Sequence, residues 1–180
     1  MISHRHRCIF VHQRKCAGTS IIQTFGLTPE DADWHVANDG VLSPGFAELP
    51  ADYFRFSIVR NPWDRFVSGW KYCASTRERS LRDVLEHPPT EGHDYRHVTR
   101  PQSAILFDGA GRPCVDMVLR FEQIQADFDR VCRRVGLAPR LLPKANTGQR
   151  HHYRDYFDPG TRELLAQRFA EDIERFGYVY

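Results

Sequence analysis

The sequence predicts an α/β fold: a three-layer domain with a mainly parallel central sheet flanked by helices. Two observations carry this. The run Cys8 to Val11 is short and continuously apolar, without the alternation of a half-exposed strand, as expected of a parallel strand covered on both faces, and Phe54 to Val59 reads as a second core strand. Strand patterns then alternate with helical ones along the chain, the order that builds a layered α/β domain. The 180 residues are 41% hydrophobic, enough for one domain with a sizeable core, and residues 1–180 read as a single domain without repeats, low-complexity tracts or linkers.

Taken in order, Cys8-Ile9-Phe10-Val11 is the first strand. Gly18 to Phe25 is a short helix stopped at Gly26. Trp34-His35-Val36 is a short strand or strand end. Phe54 to Val59 is the second core strand, and Asn61-Pro62 begins a helix, with Asn61 as N-cap, Pro62 at the first position and Asp64 near the positive end. Trp63, Phe66, Val67 and Trp70 recur at helical spacing, so this helix buries one face. Residues 76–113 are less regular: a helix at Leu81–Glu86, the breaker Pro88-Pro89, a His/Tyr/Arg-rich stretch and a turn at Gly109–Gly111. They read as a lid or acceptor-facing segment. Val115 to Phe121 is the third strand. Phe128, Val131, Cys132 and Val135 mark a helix ended by Gly136. Asp158 caps the last helix, Pro159 opens it, and Leu164, Leu165, Phe169, Ile173 and Phe176 form its buried stripe up to Gly177.

A net charge of +2 is only mildly basic and lacks the footprint of a dedicated nucleic-acid binder. Five scattered cysteines without a C-x-x-C pair argue against a disulfide framework and a zinc site, and suit reduced thiols in the cytoplasm. The apolar run at Cys8 to His12 is too short to span a membrane or to serve as a signal core. Of the 25 basic residues only Lys15, Lys71 and Lys144 are lysines. In a chain that prefers arginine, a lysine marks a place for a compact point charge.

Lys15 stands in "KCAGTS", where a strand ends and a helix begins. Backbone N–H groups at a helix start point outward and carry partial positive charge, so they suit an anion. Gly18 permits close approach to the backbone, Thr19 and Ser20 add hydroxyls, and Lys15 adds charge. The order differs from a Walker A loop, in which lysine follows the glycine. The alternative is a capped surface turn with Lys15 in solvent. A second motif, "VRNPWDRFVSGW", ends a strand at Arg60 and carries Ser68 two turns into the next helix. Paired guanidinium donors match a phosphate, and a serine hydroxyl completes the contact. The alternatives are a strand-end salt bridge at Arg60 and a polar helix residue at Ser68. Arg65 pairs with a carboxylate or faces solvent. In open α/β sheets, ligands bind at the carboxyl ends of the strands, where both motifs lie.

Together, strand–K-x-x-G-T-S–helix and strand–R-N-P-x-D-R-x-x-S–helix resemble the sulfotransferases, and more narrowly the carbohydrate O-sulfotransferase branch that includes the heparan sulfate 2-O-sulfotransferases. The resemblance continues in "VLRFEQIQADFDRV" and in the C-terminal "YRDYFDPGTRELLAQRFAEDIERFGYVY". It departs at Gln13-Arg14-Lys15-Cys16, where the family more often has isoleucine, proline and then Lys-Thr. The resemblance implies a P-loop-NTPase-like sulfotransferase fold and a co-substrate, 3′-phosphoadenosine-5′-phosphosulfate (PAPS), with PAP as product. It assigns the 5′-phosphosulfate to Arg14, Lys15, Cys16, Ala17, Gly18, Thr19 and Ser20, and the 3′-phosphate to Arg60 and Ser68. Late basic residues of the group often reach the nucleotide, which points to Arg150; the alternative is a surface arginine.

Sulfuryl transfer to a hydroxyl follows the template of phosphoryl transfer: an in-line path with catalysis by positioning and charge stabilisation. Lys15 meets the charge growing on the leaving oxygen. The acceptor proton needs a base, for which histidine is the default. The resemblance places the catalytic histidine between the two motifs, where His35 is the one histidine. His97 is the second candidate, as base or acceptor contact. His12 reads as structural, and the His151-His152 doublet as solvent-facing. His93 and His97 have the i, i+4 spacing of a helical metal pair but no third ligand in the sequence, so no metal is expected. Glu122 reads as a helix-start residue. The acceptor is a hydroxyl-bearing sugar or small molecule, with no nucleic acid and no membrane span. The competing readings are a P-loop-like kinase or NTPase, against which stands the missing Walker A lysine, and a non-catalytic PAP(S)-binding module.

Overall fold

The computed structural model of the chain describes residues 1–26, 39–143 and 151–180. The strands are β1 (Ile2–Ser3), β2 (Cys8–Val11), β3 (Phe54–Val59) and β4 (Met117–Arg120). The longer helices are α1 (Gly18–Phe25), α2 (Pro62–Tyr72), α3 (Leu81–Glu86), α4 (Ile124–Arg134), α5 (Pro159–Arg168) and α6 (Ala170–Phe176). The chain divides into two compact units, Met1–Val59 with Ala104–Thr147, and Arg60–Ser103 with Gly148–Tyr180. Residues 76–113 are therefore shared between the units.

The first unit holds the sheet, in the order β1-β2-β3-β4. β2, β3 and β4 are parallel, with Val11 beside Ser57 and Ser57 beside Val118. β1 adds an antiparallel edge, Ile2 opposite Ile9. Two residues carry no periodicity, so this edge left no sequence signal. All four residues of β2 are fully buried, which is why its sequence shows no alternation. Cys8, Phe10, Phe56, Ile58 and Leu119 pack with Ile21 of α1 and with Phe128, Val131 and Cys132 of α4. Burial there pushes the Cys8 thiol up to about 12. The opposite face is closed too: Ile9, Val11, Ser57 and Val59 are buried. The architecture is the α/β one that the sequence predicts, a mainly parallel sheet flanked by helices. β4 is shorter than the predicted Val115–Phe121. Asp116 joins Arg55 through backbone and carboxylate bonds just before the strand, and Phe121 already belongs to a 3-10 turn.

The second unit is helical. Asn61 caps α2 by accepting from the backbone N–H groups of Trp63 and Asp64, with Pro62 at the first position. Trp63, Phe66, Val67 and Trp70 then pack with Leu81, Val84 and Leu85 of α3, with Val98, and with Leu165 and Phe169. Asp158 and Thr161 form a capping box at the start of α5. The single C-terminal helix that the stripe predicts is two. α5 ends at Arg168 and α6 starts at Ala170, with Phe169 at φ −110° and ψ 28°. No proline or glycine marks the bend. Hydrogen bonds Phe169 N to Leu165 O and Ile173 N to Phe169 O run across it, and both Phe169 and Asp172 are buried by the tertiary fold. Among the described residues, no helix is long and apolar enough to cross a membrane.

Candidate active site

The Lys15 loop leaves β2 at Val11, whose carbonyl accepts a 2.7 Å hydrogen bond from the buried Ser57 hydroxyl of β3. The end of β2 is thereby held by a side chain as well as by the sheet ladder. Lys15 and Ala17 then adopt left-handed backbone conformations, φ 66° and 59°. Non-glycine residues rarely occupy that region, and it costs about 1–3 kcal/mol where it occurs. The result is a sharp turn from strand to helix. Ala17 is the N-cap of α1 and offers no side-chain acceptor, and no acid lies in the first turn. The first N–H groups of α1 thus have no capping side chain, unlike those of α2 and α5. A helix start of this kind receives an anion through its backbone donors and dipole.

The side chains of the loop divide in a way the sequence did not show. Cys16 is fully buried and its side chain belongs to the sheet core, so the thiol does not serve as a ligand contact. Thr19 is exposed and Ser20 is buried, while Arg14, Lys15 and Ala17 are intermediate. A Cβ built on Gly18 meets the His12 imidazole at 1.9 Å from Nε2. The glycine is required there by His12, whose ring also stacks on Phe10 at 5.6 Å between centroids. The structural role expected of His12 takes this form: a buried ring wedged between the sheet and the first residue of α1.

Arg60 directly follows β3 and is 6% exposed. Its Nε and Nη2 both donate to Asp64, at 2.8 and 2.7 Å. The strand-end salt bridge is therefore present, and it aims the guanidinium from the first turn of α2. Asp64 and the buried Ser68 are one turn apart on that helix. Arg65 is fully buried and donates to the Arg100 carbonyl at 2.8 Å, which overturns the solvent-facing reading. The side chain straps α2 to the 95–100 turn.

Sequence reasoning missed the support behind Arg60. The Gln102 amide, fully buried, accepts from Arg60 N and donates to Arg60 O, both at 2.9 Å. The Asp172 carboxylate, also fully buried, accepts from the backbone N–H groups of Gln102 at 2.7 Å and Ser103 at 2.8 Å. Asp172 of α6 thus fixes Gln102, and Gln102 fixes the backbone of Arg60. The polar residue inside the C-terminal apolar stripe was the available signal.

His35 and Arg150 lie outside the described residues. His97 is 7% exposed and stacks on Tyr72 at 4.9 Å and on His93 at 4.2 Å. His151 and His152 are exposed, as read, and Glu122 sits in the exposed 3-10 turn leading into α4. A cavity of about 620 Å³ opens at the amino ends of β3 and β4, lined among others by Arg7, Asp52, Asp116 and Arg134. It lies at the sheet edge opposite the Lys15 loop.

A family model described as "Sulfotransferase family" matches residues 1–179. No curated protein and no solved structure matches the chain. The match takes in β2 with its strained Lys15 turn and the Arg60–Asp64 pair that opens α2. The chain belongs to the sulfotransferase family.

Proposed function

We propose that this chain is a PAPS-dependent O-sulfotransferase acting on a hydroxyl of a carbohydrate or small-molecule acceptor. One observation carries the reading: α1 starts without a capping side chain on a turn whose Lys15 and Ala17 are held left-handed, which suits an anionic group. PAPS, when bound, supplies the sulfuryl group and a 5′-phosphate leaving group. The backbone donors of residues 14–20 hold the phosphosulfate, helped by the Thr19 and Ser20 hydroxyls and the Lys15 charge. Arg60 and Ser68 take the 3′-phosphate. Arg60 suits that role because Asp64 and Gln102 orient it in advance, and a pre-oriented guanidinium loses less freedom on binding. Arg150 adds a late basic contact.

Lys15 stabilises the negative charge that grows on the leaving oxygen. His35 takes the proton of the acceptor hydroxyl, by its place between the two motifs. His97 is the second candidate, for the base or the acceptor side. The test is thermal stability with PAP, the desulfated product, against ATP with magnesium. PAP is expected to raise the melting temperature and ATP to leave it unchanged. Stabilisation by ATP alone would sink the reading in favour of a kinase or NTPase. A positive PAP result is followed by an acceptor screen with labelled PAPS.

A further inference from the structure

The segment after α3 brings three different metal-ligating groups together. Cys73, His93 and Asp94 each offer one ligand atom, and these atoms lie within 4.8 Å of one another. The sequence offered only His93 and His97 as a helical pair. In the structure that pair does not converge: the helical turn Gly92–Asp94 widens into a π-turn at Tyr95–Thr99, closed by Arg100 N to Tyr95 O at 2.8 Å. The two imidazoles stack, 25° from parallel. The partners of His93 are instead its neighbour Asp94 and the distant Cys73.

Their meeting has a local cause. A Cβ on Gly69 would stand 2.3 Å from the His97 carbonyl oxygen, so the bare glycine lets the 95–99 turn sit against α2. Cys73 is one helical turn further on, as the C-cap of α2, on the face that the segment covers. Cys73 is buried, and His93 is exposed. The His93 Nδ1 lies 2.7 Å from Asp94 Oδ1, and the Ser75 hydroxyl donates to the other carboxylate oxygen. The rings of Tyr72, His93 and His97 all contact one another, with centroids 4.2, 4.9 and 6.1 Å apart, and hold the His93 ring.

We propose that Cys73, His93 and Asp94 form a binding site for a zinc-type divalent cation. The donor set is one thiolate, one imidazole and one carboxylate. Sulfur and nitrogen favour zinc-type metals over magnesium or calcium, which take oxygen ligands. Tetrahedral bonds of about 2.3 Å to sulfur and 2.0–2.2 Å to nitrogen and oxygen put neighbouring ligand atoms about 3.3–3.7 Å apart. His93 Nδ1 and Asp94 Oδ1 need to part by only about 0.6 Å for an ion to replace the proton between them. The Cys73 thiol gives its proton to solvent on coordination. The negative end of the α2 dipole lies at Cys73 and favours a cation. Three protein ligands leave a fourth position for water, the pattern of an open site. The ion would clamp the 92–99 turn onto the end of α2 and, through the ring stack, fix His97. The inference stands independently of the PAPS reading.

The probe is Co²⁺, titrated into the full chain after chelator treatment. A one-to-one complex with a thiolate-to-cobalt charge-transfer band is expected, displaced by Zn²⁺. Cys73→Ser should abolish the band. His93→Ala and Asp94→Asn should each weaken binding at least ten-fold. Because Cys73 is buried, Cys73→Ser can fail by unfolding. The exposed His93→Ala then decides: it should keep the chelator-treated melting temperature and lose the rise that Zn²⁺ gives the parent. Absence of the band in the parent overturns the proposal. So does a band that survives Cys73→Ser, or undiminished affinity in His93→Ala.

Discussion

Gly18 and His12 meet so closely that each specifies the other. The imidazole fills the space a Cβ would take, and interiors packed to crystal density do not absorb an extra carbon freely. Gly18→Ala is expected to cost about 1–3 kcal/mol of stability and to displace the start of α1. In a His12→Ala background the same change should cost less than about 1 kcal/mol. Urea unfolding of the four proteins in this cycle measures the difference; equal costs in both backgrounds would show that the contact is not the constraint. Arg60 is tested by ligand choice. Losing a charge-assisted hydrogen bond costs about 1.5–3 kcal/mol, so Arg60→Ala should weaken PAP about ten-fold or more. It should weaken adenosine 5′-phosphosulfate, which lacks the 3′-phosphate, much less. Equal losses by calorimetry would remove Arg60 from the 3′-phosphate. On the proposed role, Lys15→Ala is expected to lower turnover more than PAPS affinity, since the leaving oxygen gains its charge on the way to the transition state. His35→Ala should lower the rate by about 10²–10⁴-fold and leave PAP affinity intact.

At the scale of elements, α6 and α2 are coupled through two buried side chains. Asp172→Ala leaves the backbone N–H groups of Gln102 and Ser103 buried without their acceptor, at about 1–3 kcal/mol each. Gln102→Leu likewise leaves Arg60 N and O without their partner and should in addition weaken PAP, because it releases the Arg60 backbone. Denaturation and calorimetry on the two variants separate these effects. The start of α5 carries a pH dependence. The N–H of Thr161, then the nearby Arg82, hold the Asp158 carboxyl below the usual carboxylate range. A folded-state value below the unfolded one means that the folded protein binds fewer protons. The contribution of the cap is therefore complete above the ordinary pKa of about 4 and is lost as the pH falls through that value and the depressed one. Asp158→Asn keeps a capping oxygen without the titration, so its stability should fall less steeply on acidification. An unchanged slope would assign the acid sensitivity to other carboxylates.

For the whole molecule, the proposed assignment of the two phosphate groups to two sequence motifs predicts a distributed mark. PAP at a hundred-fold excess over its Kd should add about 2.7 kcal/mol to the unfolding free energy. Hydrogen exchange should slow in both the 14–20 loop and the 60–68 segment. Protection confined to one segment would overturn the two-motif reading. Much of the molecule was legible beforehand because its signals are local. Asn61-Pro62 and Asp158-Pro159 name helix starts by capping chemistry, Gly26 and Gly177 name stops by their left-handed backbone, and the unbroken apolar run at Cys8 to Val11 names a strand buried on both faces. The K-x-x-G-T-S and R-N-P-x-D-R-x-x-S motifs are local too, and they carried the family. What the tertiary structure decided depends on residues far apart in the chain. The bend at Phe169 and the burial of Arg65 follow from packing that no window of sequence contains, whereas the edge β1 is simply too short to carry a pattern. Gln102 and Asp172 are separated by 70 residues, and Cys73 meets His93 and Asp94 across the intervening helical segments Ala74–Arg77 and Leu81–Glu86. Periodicity and capping are written residue by residue, whereas the convergence of polar groups is set only once the chain has folded back on itself.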